Sequence, residues 1–304
     1  MEALDHEKIK ESRTEKLLRG LGVTKEGFMD EKLPSKVFSY SQYTAYKICG
    51  KAYEFKYIEK QEMPNYAPLV RGVAVHAGIE HMLRKKMVGG EGSLEEALAV
   101  AEDRFEEAAQ TVVDWGPDED ETPTDPEKIK NQVREMIRVF AQEGYSKINP
   151  IGIEEGFAKL IGGVPMVGWI DLVDLQPAID VTGMSAKDAV IAPKKTVIVD
   201  FKTTTKTWGA GQLRNNPQLT LYTAVKGTPH ARIDMLVNTK KIKFVQAPTE
   251  RTPDDVAVLT EDLQETTELI KKGVFAKTTI DNWCCNPKHC SWWDKCRGKK
   301  RSSP

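Results

Sequence analysis

The chain has 304 residues, of which 40% are apolar and 29% are charged, and its net charge is −1. This composition allows one large or two modest domains with a buried core, and it leaves any nucleic-acid contact to local basic patches. No apolar run approaches the ~20 residues that a membrane-spanning helix needs. Residues 1–16 are highly charged and contain no apolar stretch, so we expect no secretory signal and a cytoplasmic protein.

The first part of the chain is predicted to be polar and then helical. Residues 1–36 form a polar lead-in with a weak apolar face. Ser39 or Ser41 suits the N-cap position of a helix, because a serine hydroxyl can accept a hydrogen bond from an amide of the first turn. This helix is expected to carry Cys49 and to extend as far as Phe55.

Two further helical regions follow. Residues 72–85 place apolar residues on one helix face, and His76 lies within this segment. Residues 93–146 are predicted to form a helical insertion. The insertion opens on Ser93, and Glu96 follows it at the spacing of a capping box.

The second half of the chain changes to the periodicity of strands. Residues 151–161 and 164–175 are extended runs about Gly162-Gly163, which is typical of a β-hairpin. Residues 195–203 predict an apolar strand. Beyond it the pattern predicts a helix over 216–225, strands over 231–238 and 242–246, and a helix over 253–272. Helices and strands in this order indicate an α/β fold.

Two short acidic segments carry the chemistry. One is Gly168-Trp169-Ile170-Asp171, and the other is Val199-Asp200-Phe201-Lys202. Residues two apart on a strand point to the same face, so Asp200 and Lys202 should project together. Two aspartates can hold a hard divalent cation, and a nearby lysine can orient a water or stabilise negative charge. These groups suit metal-assisted hydrolysis of a phosphodiester.

Other groups can complete such a metal site. His76 is a suitable third ligand, because imidazole suits Mn²⁺ and accepts Mg²⁺ in mixed sites, and the Phe201 carbonyl can supply an oxygen. A lone histidine on a helix is more often structural, but a carboxylate at the end of an apolar strand is costly without a partner. Glu80 could equally orient His76 or lie on the helix surface, and we assign no role to Glu154 or Glu155.

Taken together, the motifs resemble those of a known family. In chain order they are Gly72-x3-His76, Gly168-Trp169-Ile170-Asp171, Asp200-Phe201-Lys202 and Gln218-x3-Tyr222. This order is similar to that of RecB-like nucleases of the PD-(D/E)XK superfamily, over about residues 37–300. The resemblance implies a restriction-endonuclease-like core over 37–280, in which helices flank a mixed central sheet.

The resemblance also implies roles for individual residues. The ligands of Mg²⁺ or Mn²⁺ would be His76, Asp171, Asp200 and the Phe201 main-chain carbonyl. Asp171, Asp200 and Lys202 would form the catalytic group, with Lys202 as the catalytic lysine. Gln218 and Tyr222, one helical turn apart and so on one face, would contact DNA near the site.

The implied activity is that of a metal-dependent DNA exonuclease acting on single strands or DNA ends. Its setting would be recombination, replication or repair, in a phage or CRISPR-type context, alongside recombination or replication proteins and in the host cytoplasm if phage-encoded. Thr203 and Lys206, just beyond the catalytic lysine, suit contacts to phosphates. The alternative is a non-catalytic or zinc-stabilised DNA-binding protein with a degenerate nuclease fold.

The cysteines are divided between two parts of the chain. They are Cys49, Cys284, Cys285, Cys290 and Cys296. An odd count in a cytosolic-looking chain favours metal or cluster ligation over a disulfide framework. A zinc knuckle would usually show two local pairs of ligands. Zinc binding and free thiols both remain alternatives to an iron–sulfur cluster.

The split cysteines resemble the iron–sulfur staple of a RecB-like subgroup that includes the AddB nuclease domain, CRISPR-associated exonucleases and exonucleases of the phage type. The resemblance implies a [4Fe–4S] cluster on Cys49, Cys285, Cys290 and Cys296, which joins the N- and C-terminal parts of the chain. The adjacent pair leaves the choice between Cys284 and Cys285 open. Residues 281–304 would form this cluster segment and a basic tail.

Overall fold

The computed structural model describes residues 13–111, 113–116, 124–179, 184–185, 188 and 192–298. The start of the predicted lead-in, part of the loop that precedes residue 194 and the end of the basic tail lie outside the described residues. Among the helices in the described ranges, none is both long and apolar enough to cross a membrane.

The described helices and strands alternate along the chain. The helices are α1 (Arg13–Gly20), α2 (Tyr40–Ile48), α3 (Gly50–Tyr53), α4 (Ala67–Met87), α5 (Leu94–Ala109), α6 (Pro126–Val139), α7 (Ala210–Arg214), α8 (Pro217–Lys226), α9 (Pro253–Lys271) and α10 (Trp293–Arg297). Short π-helical turns cover Glu54–Ile58 and Phe140–Gly144, and a 3-10 turn covers Tyr145–Lys147. The strands are β1 (Phe38–Ser39), β2 (Asn65–Tyr66), β3 (Val113–Asp114), β4 (Pro150–Ile161), β5 (Val164–Pro177), β6 (Lys194–Thr204), β7 (His230–Val237) and β8 (Lys243–Glu250).

The central sheet is mixed, as predicted. Its strands follow the order β1-β5-β6-β7-β8, in which β1 and β6 pair with different parts of the same edge of β5. β4 pairs with the opposite edge of β5. β6 and β7 run parallel, whereas β5/β6 and β7/β8 are antiparallel. The predicted α/β arrangement of a mixed sheet flanked by helices is therefore confirmed.

The β4–β5 hairpin turns on two glycines. Gly162 and Gly163 have φ angles of 56° and 81°, which a type I′ turn requires and which glycine adopts without a steric penalty. Ile161 pairs with Val164 across this turn, so the register of the hairpin is fixed from its tip. The predicted hairpin is confirmed.

Helices cover both faces of the sheet and form two buried clusters. One cluster joins α4, α5 and α6 to the sheet through residues such as Val75 and Val199. The other joins α2, α8 and α9 to the opposite face through residues such as Leu219 and Ile198. Because residues of a strand alternate between faces, Asp200 points to the same side of β6 as Ile198.

The helix predicted to run through Cys49 is interrupted there, so that part of the prediction is wrong. Cys49 has an extended backbone between α2 and α3, with φ −163° and ψ 110°. The Lys51 amide donates to the Ala276 carbonyl at 3.1 Å, and a Cβ on Gly50 would lie 3.0 Å from the backbone of Ala276. The segment that leads into the C-terminal cysteines therefore packs against the break.

Two predicted helix starts are observed with differences in detail. Ser39, rather than Ser41, caps α2 by accepting a hydrogen bond from the amide three residues later. Ser93 caps α5 through the Glu96 amide, whereas the Glu96 carboxylate turns to His81, 2.9 Å away.

Candidate active site

Strands β5 and β6 separate near the end of their pairing, and a site opens between them. β6 pairs with β5 only as far as Leu172 and Val199, while β1 pairs with the same edge of β5 at 166–167. Asp171 lies on the stretch of edge between these two partners. Its Oδ2 accepts a hydrogen bond from the Phe201 amide at 2.9 Å, so a side chain bridges the strands where the ladder stops.

Helix α4 brings His76 to this opening. His76 Nε2 lies 3.0 Å from the Phe201 carbonyl oxygen, and its Nδ1 lies 3.6 Å from Asp171 Oδ2. His76 and Phe201 are 125 positions apart in sequence, so only the folded chain joins them. Neighbouring ligands of an octahedral Mg²⁺, each at ~2.1 Å from the ion, are about 3 Å apart. The two distances start from different ring nitrogens, of which only one can bind a given ion, so the observation places His76, Asp171 and the Phe201 carbonyl close enough together to share a metal ion.

Asp200 is almost fully buried, at 1% exposure, beside Lys202. Its Oδ2 lies 2.6 Å from Lys202 Nζ but has no partner in hydrogen-bond geometry among the described residues. Burial raises the pKa of Asp200 to about 6, with the charge of Lys202 acting against this shift and that of Asp171 adding to it. Burial makes the charged form of this carboxylate costly, and a cation bound in addition to Lys202 would relieve that cost.

The Lys202 amine is held as a cation. Its Nζ donates a hydrogen bond to Gln218 Oε1 at 3.1 Å while it lies against Asp200. Burial works to lower the pKa of Lys202, but the charges of Asp200 and Asp171 outweigh it, and the pKa is raised. Lys202 is therefore protonated at neutral pH in this arrangement and acts as a positive charge.

The glutamine and tyrosine of α8 lie behind Lys202. Gln218 Nε2 donates to Tyr222 Oη at 3.1 Å, and Tyr222 is only 5% exposed. Burial, followed by the charge of Asp200, raises the pKa of Tyr222. A chain of hydrogen bonds therefore runs from the Lys202 amine through Gln218 to Tyr222, and the DNA contact expected of this pair stays a prediction.

Glu154 joins the site although no role was assigned to it from the sequence. One ligand atom from each of His76, Glu154 and Asp171 lies within 4.8 Å of the others. Glu154 has a φ of 47°, a left-handed conformation that costs a non-glycine residue free energy and is frequent at functional sites. The hairpin register contained the signal: Ile161 pairs with Val164, so residue 154 (161 − 7) lies opposite residue 171 (164 + 7).

Open cavities lie on both sides of these groups. One, of about 670 Å³, is lined in part by His76, Glu154, Phe201, Lys202 and Thr203. Gln218 and Tyr222 line another, of about 410 Å³. Thr203 therefore borders the site, whereas Lys206 is exposed on the turn that follows β6.

The donor set around Asp171 fits a hard divalent cation. It offers carboxylate oxygens, a main-chain carbonyl and one imidazole, which Mg²⁺ and Mn²⁺ accept. Asp200 does not belong to the group of ligand atoms within 4.8 Å of one another among the described residues, and its Oδ2 is paired with Lys202 Nζ at 2.6 Å. Thiols, which favour softer metals, line a separate cavity.

The cysteines meet around the break at Cys49. A cavity of about 200 Å³ is lined in part by Cys49, Cys284, Cys285, Cys290 and Cys296. Arg297 donates to Cys285 Sγ at 3.5 Å, and this hydrogen bond is the main cause of the raised pKa of Arg297. Cys284 instead donates to Asn282 Oδ1 at 3.2 Å. The fold thus joins the distant upstream thiol to those near the C-terminus.

Comparison with protein families defines the class of protein. The model of the PD-(D/E)XK nuclease superfamily matches residues 37–297. This span is most of the chain, and the chain belongs to the PD-(D/E)XK nuclease superfamily. Membership implies nuclease activity on DNA with a divalent metal ion.

Two solved structures resemble the chain at low sequence identity. A provisionally assigned exonuclease from Eubacterium rectale is 12% identical, with 86% of this chain and 93% of that chain covered and a TM-score of 0.48. A protein named SSO0001 is 14% identical, with 79% and 88% covered and a TM-score of 0.33. A comparison with curated proteins gives no significant match.

Proposed function

We propose that this chain is a metal-dependent DNA exonuclease that hydrolyses phosphodiester bonds on single strands or at DNA ends. The observation that carries the proposal is the meeting of His76, Asp171 and the Phe201 carbonyl at the opening between β5 and β6, with distances of 3.0 and 3.6 Å from the imidazole. Recombination, replication and repair are the processes in which we expect it to act.

In this proposal the metal ligands are His76, Asp171, Asp200 and the Phe201 carbonyl, and Glu154 is a further ligand. A bound Mg²⁺ or Mn²⁺ polarises a phosphate and lowers the pKa of a water. The carboxylates of Asp171 and Asp200 repel each other when both are charged, which favours a cation between them. Asp171 also keeps β6 in place through the Phe201 amide.

Lys202 stabilises the negative charge that develops on the phosphate during hydrolysis. Its raised pKa makes it a poor general base at neutral pH, so its contribution is electrostatic. Gln218 positions the amine. Thr203, at the rim of the larger cavity, and Lys206, on the exposed turn, are proposed to contact the phosphates of the bound strand, which fixes its position without reading its sequence.

Digestion of end-labelled DNA tests this function. Single-stranded and double-stranded substrates labelled at either end are incubated with Mg²⁺ or Mn²⁺, with EDTA as the negative control. We expect stepwise products from one end in the presence of metal. Asp200→Ala, purified in parallel, should be inactive and so exclude a contaminating nuclease. DNA binding without cleavage by the wild type would favour the non-catalytic alternative.

We also propose that a [4Fe–4S] cluster is bound by Cys49, Cys285, Cys290 and Cys296. The cluster joins residues 281–304 to a nuclease core over residues 37–280. In this proposal the core contains a helical insertion over residues 93–146. Four thiolates are the ligand set of such a cluster. The supporting observation is the shared cavity around the Cys49 break. Cys285 is buried and accepts a hydrogen bond from Arg297, which favours it as the ligand, whereas Cys284 donates a hydrogen bond to Asn282.

The colour and metal content of the protein test the cluster. Anaerobic purification should give a brown protein with iron, sulfide and broad absorbance near ~400 nm. Cys285→Ser should lose this absorbance, and Cys284→Ser is the matched control that should keep it. A colourless protein with stoichiometric zinc would instead support the zinc alternative.

A further inference from the structure

An aromatic side chain lies beside the candidate metal site and outside the core. Tyr66 is 49% exposed, yet it lines the cavity of about 670 Å³ that also contains His76 and Lys202. We infer that Tyr66 stacks on an unpaired base of the DNA strand next to the scissile phosphate. This makes single-stranded DNA, or the frayed end of a duplex, the preferred substrate, and it rests on the nuclease function proposed above.

The backbone of Tyr66 is held in place by two elements. Tyr66 is the N-cap residue of α4, and as part of β2 it pairs with Asp114 of β3. The preceding residue, Asn65, pairs with Val113, and its side chain donates to Thr111 Oγ1 at 2.8 Å. This short ladder joins the start of α4 to the chain between α5 and α6. Because the backbone is already held in this way, it loses little further conformational entropy when the ring binds a ligand.

The lining of the cavity is partly apolar and partly polar. Its apolar side chains include Tyr66, Pro68 and Leu69, which is 42% exposed. Its polar side chains include His76, Lys202 and Thr203. A nucleotide has the matching division, because its base is flat and apolar on its faces while its phosphate is charged. Stacking on an aromatic ring is also tolerant of sequence, since every base has a π-face.

The position of Tyr66 explains why the base must be unpaired. The phosphate has to reach the polar groups near His76 while its base turns toward Tyr66, which lines the same cavity. A base inside a duplex is stacked on both sides and cannot do this without leaving the helix, which costs free energy. In a single strand or a frayed end the base is already unpaired, so this free energy is not required.

Abasic substitution combined with variants of Tyr66 tests the inference. A single-stranded oligonucleotide carries one abasic position, moved stepwise along the sequence, and single-turnover cleavage is measured in Mg²⁺. In the wild type, one position beside the cleaved bond should lower the rate about 5- to 100-fold. Tyr66→Ala should lower the rate on the intact strand by a similar factor, and the abasic position should then have no further effect beyond about two-fold.

The controls separate stacking from a general loss of structure. Tyr66→Phe keeps the ring and should stay within about three-fold of the wild type. Leu160→Ala removes an apolar side chain of 47% exposure near the C-terminal end of β4, next to the hairpin turn. It should leave the cleavage rate unchanged. The inference is overturned if Tyr66→Ala matches Leu160→Ala, if the abasic loss is as large in Tyr66→Ala as in the wild type, or if blunt duplex is cut as fast as single strands. Absence of any cleavage by the wild type would instead overturn the proposed function itself.

Discussion

At the scale of single residues, the buried carboxylate of Asp200 links the site to pH. Burial raises its pKa from the ordinary 3.8 to about 6. The folded state therefore holds this proton more tightly than the unfolded chain does. In the metal-free protein the resulting stability is fully present below 3.8 and is lost as pH rises through about 6. A cation bound above that pH takes over the role of the proton.

We accordingly predict that stabilisation by Mn²⁺ grows as pH rises through about 6. Thermal unfolding with and without Mn²⁺ measures it. The increase in Tm should be small at about pH 5, and about 4 °C at about pH 8 when the ion is present at about 100 times its Kd. Asp200→Asn should reduce both the increase and its pH dependence. Equal increases at the two pH values in the wild type would contradict the role of Asp200 as a ligand.

Gln218 tests whether Lys202 must be positioned. Gln218→Leu removes the hydrogen bond to the Lys202 amine, so we expect kcat to fall about ten-fold with less change in KM. Gln264→Leu is the matched control, because the side chain of Gln264 also makes a hydrogen bond, in this case as a donor to the Gly162 carbonyl at the hairpin tip. A change confined to KM, or an equal loss in the control, would argue against positioning.

At the scale of elements, the site depends on how closely β4 and β5 pack. Gly168 belongs to the acidic motif of β5, and a Cβ there would lie 2.8 Å from the ring of Phe157 on β4. Gly168→Ala should therefore lower the free energy of unfolding by about 1–3 kcal/mol, as overpacking does. Chemical denaturation measures this loss.

Two further variants check that explanation. Gly209→Ala is the control, since its Cβ would meet nothing within 4 Å, and it should be close to neutral. Phe157→Leu combined with Gly168→Ala should recover part of the loss, because the smaller side chain makes room. Wild-type stability in Gly168→Ala would show that the glycine is not required for packing.

At the scale of the whole molecule, a buried ion network stabilises the sheet away from the site. Arg232 donates to Asp174 at 2.8 Å and to Asp234 at 2.6 Å, and all three residues are buried. Arg232→Met leaves two buried carboxylates without their cation and should cost about 3–5 kcal/mol of stability. Arg84→Met, which breaks an exposed pair with Glu80, should cost less than about 1 kcal/mol. Urea unfolding of both variants measures the loss in the free energy of unfolding. Equal losses in the two variants would contradict this prediction.

The features predictable from the sequence are those with local signals. The alternation of β6 places Asp200 and Lys202 on one face, and the Gly-Gly turn marks the hairpin, so these features were predicted from local patterns alone. The mixed central sheet was implied by the family resemblance. The link from His76 to the two acidic motifs came from ligand chemistry and from the order of motifs in a resembling family, because no local pattern joins residues 125 positions apart.

The features missed from the sequence depend on register or on distant contacts. Glu154 reaches the site because of its place opposite Asp171 in the hairpin and its positive φ, and neither is a property of its local composition. The break at Cys49 depends on the bond between Lys51 and Ala276, which no helical periodicity around Cys49 reveals.

The central claim is that DNA is hydrolysed at the site between β5 and β6, where the positive charge of Lys202 stabilises the charge that develops on the phosphate. Single-turnover cleavage of an end-labelled single strand in Mg²⁺ by the wild type, Lys202→Ala and Lys25→Ala tests it most directly. Lys25 is the matched control, an exposed lysine paired with Glu15. The predicted result is a loss of at least about 100-fold in Lys202→Ala alone. Equal rates for Lys202→Ala and the wild type would contradict the claim.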